Sequence, residues 1–145
     1  MAGHGARAPM VVTHEGGLKF AAQMREHRLV VDQPAGAGAG ENAGPMPIEL
    51  LGAALGTCVA LYVQQFCASR GLPYEGMRVE LQQWGAQNPS RIGRFEVKVI
   101  LPEPVPPQYA EMLERVARSC PAHHTFEQGA VMDLTIESGA GAATA

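Results

Sequence analysis

The stretch Pro47–Cys67, PIELLGAALGTCVALYVQQFC, limits the possible folds of this chain more than any other. After Glu49 it carries no formal charge until Arg70. At about 1.5 Å per residue, this uncharged run would build a helix about 30 Å long, the length of a membrane span or of a helix buried inside an assembly. Gln64, Gln65, Ser69, Thr57, Gly52 and Gly56 all fall within the run, and its start lacks the Trp, Lys or Arg that anchors a span at the lipid boundary. A buried helix is therefore expected, with no membrane partner. Pro47 suits a first helical turn, and Glu49 is favoured near the positive end of the helix dipole. Arg70–Gly71, with Pro73 behind, is a stop signal. On a helical projection Leu51, Leu55, Cys58, Tyr62 and Phe66 share one face. Cys67, nine positions after Cys58, falls half a turn away and is expected to be a packed spectator.

The chain has 145 residues. That suits one domain, spanning residues 11–138 between a disordered lead (1–10) and a flexible tail (139–145). A net charge of −3 and a pI near 5.9 supply no broad basic field, so nucleic acid is not an expected partner. MAGHGARAPM has no apolar core of signal-peptide length, so a cytoplasmic location is expected. Three cysteines at 58, 67 and 120 form neither an even disulfide framework nor a CxxC site. In a reducing compartment such thiols are either inert core residues or reactive ones.

Periodicity places the remaining elements. Val11–His14 opens a first strand. After Gly16–Gly17, Leu18, Phe20, Ala22 and Met24 alternate with more polar residues as in a half-buried strand, and Leu29–Val31 pairs back. AGAGAGENAGPMP, residues 35–47, reads as a Gly/Ala/Pro loop, either a plain linker or a mobile flap beside the site. Met77, Val79 and Leu81, then Phe95, Val97, Val99 and Leu101, alternate as the two strands of an antiparallel hairpin. Beyond PEPVPP, an apolar stripe of Tyr109, Met112, Leu113, Val116 and Ala117 marks an amphipathic helix ending at Cys120, because Pro121 disfavours helical geometry in the residue before it. Met132, Leu134 and Ile136 alternate as a closing strand.

The order is α+β, with a mainly antiparallel sheet wrapped on a long central helix. A helix apolar on every side needs cover on every side, and these few elements cannot supply it. A homodimer, with two copies of the long helix packed together and a sheet outside each, would.

Cys58 and Cys120 are the candidates for a redox pair. Cys58 lies mid-helix among apolar neighbours, where desolvation disfavours a thiolate unless a cation or hydrogen bond intervenes. Cys120 lies at a helix end with His123 and His124 close behind. The plain alternative is that both are small buried hydrophobes. Adjacent imidazoles rarely converge on one ion, so no metal is expected at His123–His124, and His123 is placed as a packing residue at the site. Trp84 and Arg94 fall on outer strand faces by parity.

Asp32-x-Pro34, Asn42-x-Gly44-Pro45-x-Pro47-x-Glu49-Leu50-Leu51, Ala54-Leu55-Gly56-x-Cys58 and Cys120-Pro121-x-His123 together resemble the OsmC/Ohr family, the osmotically inducible proteins and organic hydroperoxide reductases. The resemblance runs from about Leu18 to Ile136. It implies an intertwined homodimer with sites at the subunit interface, Cys58 as the peroxidatic thiol, and Cys120 as the thiol that closes a disulfide onto it. It also implies no bound cofactor, an external dithiol reductant, and a cation beside the thiolate. Arg25 and Arg28 are the first candidates for that cation, with Lys19 next, and Glu49 is a further candidate for activating the thiol. The reductase branch places a glutamate directly after the helix-entry proline. Here Ile48 stands in that position and Glu49 follows one place later, rotated by 100°, so the chain looks more like the general OsmC-like branch.

The expected function is thiol-dependent reduction of organic hydroperoxides in oxidative stress defence, with Leu51, Leu55, Tyr62 and Phe66 lining the site and favouring greasy peroxides. The rival expectation is a non-catalytic dimer that binds a small apolar ligand or acts as a redox sensor.

Overall fold

The computed structural model describes residues 5–139; the outer parts of the expected lead and tail, residues 1–4 and 140–145, lie outside the described residues. Strands β1 (Met10–His14), β2 (Phe20–Met24) and β3 (His27–Val31) form an antiparallel sheet in the order β1-β2-β3. Helix α1 (Pro47–Ser69) follows, then the antiparallel hairpin β4 (Arg78–Ala86) and β5 (Arg91–Ile100), and finally helices α2 (Pro107–Arg118) and α3 (Pro121–Gln128).

Helix α1 organises the rest. At its entrance the Met46 amide donates to Glu49 Oε2 at 2.9 Å, satisfying one of the helix's free N–H groups. By length and a mean hydropathy of 1.5 it could cross a membrane. It is instead one-sided: Gly52, Leu55, Gly56, Val59, Val63, Phe66 and Cys67 are buried at helical spacing. Leu81, Phe95, Val97 and Val99 from the hairpin and Tyr109, Leu113 and Val116 from α2 pack on that face. Gly52 lets the hairpin come close, since a Cβ there would lie 2.6 Å from Gln83 Oε1 and 3.0 Å from Leu81 Cδ2. Side chains as deeply buried as Val63 and Phe66 each gain about 1.5–3 kcal/mol from leaving water. The main packing of α1 is with β4, β5, α2 and α3, and none of it involves the N-terminal sheet.

That sheet has an apolar side of its own. Its register puts Met10, Val12, Phe20, Ala22, Met24 and Leu29 on one face, where Met10 and Val12 remain 66% and 64% exposed. Away from its buried face, α1 also keeps apolar groups in solvent, with Leu51 and Leu61 both exposed.

Three expectations need correction. Met132, Leu134 and Ile136 form no strand and are 82–89% exposed. Their alternation is that of a strand, but a strand needs a ladder of backbone partners, and the described chain offers this segment none. Pro121 does more than stop α2: it is the first residue of α3, an eight-residue helix that went unrecognised because PAHHTFEQ carries no apolar stripe. The 35–47 loop is not a free flap. Buried Asp32 accepts N–H bonds from Gln33 (2.7 Å), Glu41 (3.1 Å) and Ala43 (3.0 Å), and its own amide donates to the Pro45 carbonyl at 3.1 Å. Gly44 passes so close to the Val30 carbonyl that a Cβ would collide with backbone.

The Ala43 amide is the main influence holding the Asp32 carboxyl below its usual range, helped by the Gln33 and Glu41 amides and opposed by burial. A carboxyl depressed by folding stabilises the fold above its unfolded pKa, and that contribution is lost as pH falls through the folded value. Asp32→Asn is therefore expected to lower the denaturation midpoint at pH 7 and to flatten its decline below about pH 4, as read by urea melts across pH. An unchanged acid limb in the variant would show that Asp32 does not carry this dependence.

Candidate functional site

The three thiols follow from where the helices lie. Cys58 sits midway along α1 at the rim of its buried face and is half-buried. Cys120 is at 0% exposure in the elbow between α2 and α3. Cys58 packs against the core cluster to which Cys120 belongs, which makes the two thiols neighbours. Cys67, also at 0% exposure, belongs to the core of α1 rather than to a far side. Cys58 and Cys67 do point half a turn apart, but that half-turn takes the chain from the core's rim to its interior.

The elbow is held by capping. Cys120 precedes α3 with extended backbone, and its Sγ accepts the His123 amide at 3.3 Å, as a serine oxygen does at a helix start. Burial is the main influence on Cys120 and pushes its thiol up, with Cys58 adding to the rise. The amides of His123 and Ala122 pull the other way. Burial alone pushes up Cys67. The His123 ring is tied to Glu127 at 2.9 Å, one turn along α3.

Beside the elbow lies an open groove of about 1050 Å³ between α1, β5, α2 and α3. Leu55, Val59, Val99, Leu113 and Phe126 line it, and His123 joins it to Cys120. Of the residues expected at the site, Leu55 and His123 line this groove. Tyr62 and Phe66 do not line this groove; both pack in or against the core of α1, and Phe66 stacks edge-on with Tyr109 at 6.1 Å. Leu51 is exposed on the outer side. Val59 and Phe126 were not singled out from sequence. Val59 adjoins Cys58 and could have been; Phe126 belongs to the unrecognised helix.

The expected charged residues stand elsewhere. Arg25 occupies the β2–β3 turn beside Glu26, Arg28 is bonded to Glu15, and Lys19 pairs with Glu41 at 3.1 Å. All three belong to the N-terminal sheet or its first turn and are engaged away from Cys58. The Glu49 carboxylate is committed to capping α1. Among the described residues no group of three His, Cys, Asp or Glu side chains is placed to hold a metal.

Exposure and burial together predict the order of thiol reactivity. At pH 8, N-ethylmaleimide should modify Cys58 about tenfold or more faster than Cys67 and Cys120, with the difference disappearing in 6 M guanidinium, as read by peptide mass spectrometry. Equal native rates would contradict this arrangement.

Residues 39–135 match the family described as OsmC-like protein. No curated protein matches the chain. Among solved structures, the fold is similar to that of a candidate osmotic stress induced and detoxification response protein from Psychrobacter arcticus, with 17% identity, a TM-score of 0.74, and coverage of 83% of this chain and 89% of that one. An OsmC-like protein from Mycoplasma pneumoniae is similar at 15% identity and TM-score 0.68, covering 86% and 89%. An organic hydroperoxide resistance protein OsmC from Legionella pneumophila, also described as a predicted redox protein, is similar at 16% identity and TM-score 0.62, covering 84% and 91%. These identities carry the fold and no more. The family match over residues 39–135, on a fold shared with these structures, shows that the chain belongs to the OsmC-like protein family.

Proposed function

We propose that the protein is a thiol peroxidase for apolar organic hydroperoxides, acting as a homodimer in the reducing cytoplasm with no bound cofactor. The observation that carries this reading is the placing of Cys58 beside Cys120, one thiol half-buried and reachable, the other fully buried in the cluster against which the first packs. The name of the Legionella relative agrees with it.

The chemistry balances with the residues present and an external dithiol. The Cys58 thiolate attacks one peroxide oxygen and the O–O bond breaks. The other oxygen departs as an alkoxide and takes a proton to become the alcohol, while Cys58 becomes a sulfenic acid. Cys120, losing its proton, attacks Cys58 Sγ and expels hydroxide, which leaves as water once protonated. The resulting disulfide is returned to two thiols by the dithiol. The apolar groove beside the pair suits a greasy alkyl group better than hydrogen peroxide.

Dimerisation supplies what a single chain lacks. The apolar face of the N-terminal sheet and the outer stripe of α1 are both open, and two copies can cover each other's. A second copy's N-terminal sheet laid over α1 would also bring charges at its edge, Arg25 of the β2–β3 turn among them, towards Cys58, where a thiolate needs a cation. A rival reading, a dimer that binds a small apolar ligand or signals through its thiols without turnover, is favoured by the engagement of Glu49 at the helix entrance.

Consumption of cumene hydroperoxide with dithiothreitol as donor separates the two. Turnover is expected, with Cys58→Ser lowering it about a hundredfold or more, and Cys120→Ser leaving a Cys58 sulfenic acid that dimedone traps. A Cys58→Ser protein as fast as its parent would dispose of the peroxidase reading.

Sedimentation equilibrium should show a dimer that Leu61→Glu dissociates, because the substitution places a charge in a desolvated seam. A monomeric parent protein would rule the assembly out.

A further inference from the structure

The two thiols differ in exposure, and the difference fixes the direction of disulfide exchange. Resting on the thiol cycle proposed above, we propose that the dithiol donor attacks Cys58 Sγ and that Cys120 is the leaving sulfur.

Three features of the elbow carry this. The first is access: Cys120 is at 0% exposure, whereas Cys58 is half-buried at the rim of α1. The second is the line of approach. Exchange proceeds with the three sulfurs nearly collinear, so an attacking thiolate must come from behind the sulfur it strikes. Cys58 shares its flank of α1 with exposed Leu51 and Leu61. Cys120 is enclosed on all sides in the elbow that joins α2 to α3. A second copy laid on α1 would narrow the path to Cys58, but it would not uncover Cys120.

The third feature is where the charge goes. A sulfur leaving as thiolate needs donors already in place, and Cys120 Sγ accepts the His123 amide at 3.3 Å at the start of α3. Cys58 lies in the middle of α1, where the backbone amides are spent on the helix itself. Burial pushes the Cys120 thiol up and so slows its departure, an effect the His123 amide opposes; access therefore decides the direction, and once released the sulfur takes a proton and does not return to attack the mixed disulfide.

The steps balance. A donor thiol gives up its proton and its sulfur bonds to Cys58 Sγ. The Cys58–Cys120 bond breaks, and its electron pair goes to Cys120, which takes up a proton. The donor's second thiol then attacks the donor sulfur of the mixed disulfide. The bond to Cys58 breaks, its electron pair returns to Cys58, and Cys58 is protonated. The donor loses two electrons to become a cyclic disulfide, and the protein gains them as two thiols.

The test uses the full chain and a monothiol, which cannot complete the second step. The disulfide is formed with diamide, so that its formation does not depend on peroxidase activity. It is then treated briefly with limiting 2-mercaptoethanol, quenched with acid, alkylated with N-ethylmaleimide, and mapped through chymotryptic peptides that distinguish Cys58, Cys67 and Cys120. The mercaptoethanol adduct is expected on Cys58 in about tenfold or greater excess over Cys120, with Cys120 carrying the maleimide. An adduct on Cys120, or an even split, would overturn the inference, as would failure of diamide to link the two residues. If diamide forms the disulfide and cumene hydroperoxide does not, the peroxidase reading falls while the order of exchange is still decided by the adduct.

Discussion

The hairpin and the two C-terminal helices depend on the burial of one face of α1. Val59, Val63 and Phe66 are the centre of the only sizeable core among the described residues, and the hairpin, α2 and α3 are all held by contact with that face. The same contact sets the chemistry. It carries Cys58 to the rim of the core and brings the α2–α3 elbow down beside it, so that Cys120 meets Cys58 because the helices pack and not because either thiol attracts the other. Removing the packing would remove the site, whereas removing the half-buried Cys58 sulfur leaves the packing almost intact.

The fold was legible in the sequence wherever a local pattern matched a local cause. Pro47 and Gly71 bracket the long helix, and the alternations around Val79 and Val97 give the hairpin, because capping and face-to-face burial act within a few residues. Two features were not legible in this way. Helix α3 depends on Cys120 acting as a cap and Pro121 as a first-turn residue, and its short polar sequence has no periodicity to find. The segment at Met132–Ile136 shows the opposite case, a clear alternation without a strand, because pairing is a property of two segments and the second is absent from the chain as described.

The site was legible in part. The sulfur pair followed from motifs on either side of the hairpin, and the structure brings the two together. The supporting charges could not be read in this way: Arg25, Arg28 and Lys19 belong to the N-terminal sheet and its first turn, which stand outside the main packing of α1, and each finds a carboxylate within its own neighbourhood. Sequence gives the charge of a residue but not the body against which its strand will lie.

The anchoring of the glycine-rich loop has a consequence for how this chain can vary. Asp32 grips the backbone at Glu41 and Ala43, while Pro34 through Ala39 stand exposed between the anchor points. The anchors at Glu41 and Ala43 are amides, which every residue except proline possesses, so the side chains at those two positions are nearly free, whereas Gly40 and Gly44 are not, since a Cβ at either would meet backbone, and the loop's path is fixed. Lengthening the exposed part adds little closure entropy, about 0.6 kcal/mol for a doubling, and leaves the entry to α1 where it is. A single residue inserted after Glu41 would instead break the spacing between the two amides and Asp32, and with it the level at which Pro47 begins the helix. The tolerance of this loop to insertions and deletions should therefore change abruptly at one peptide bond, although the composition on both sides of it is similar.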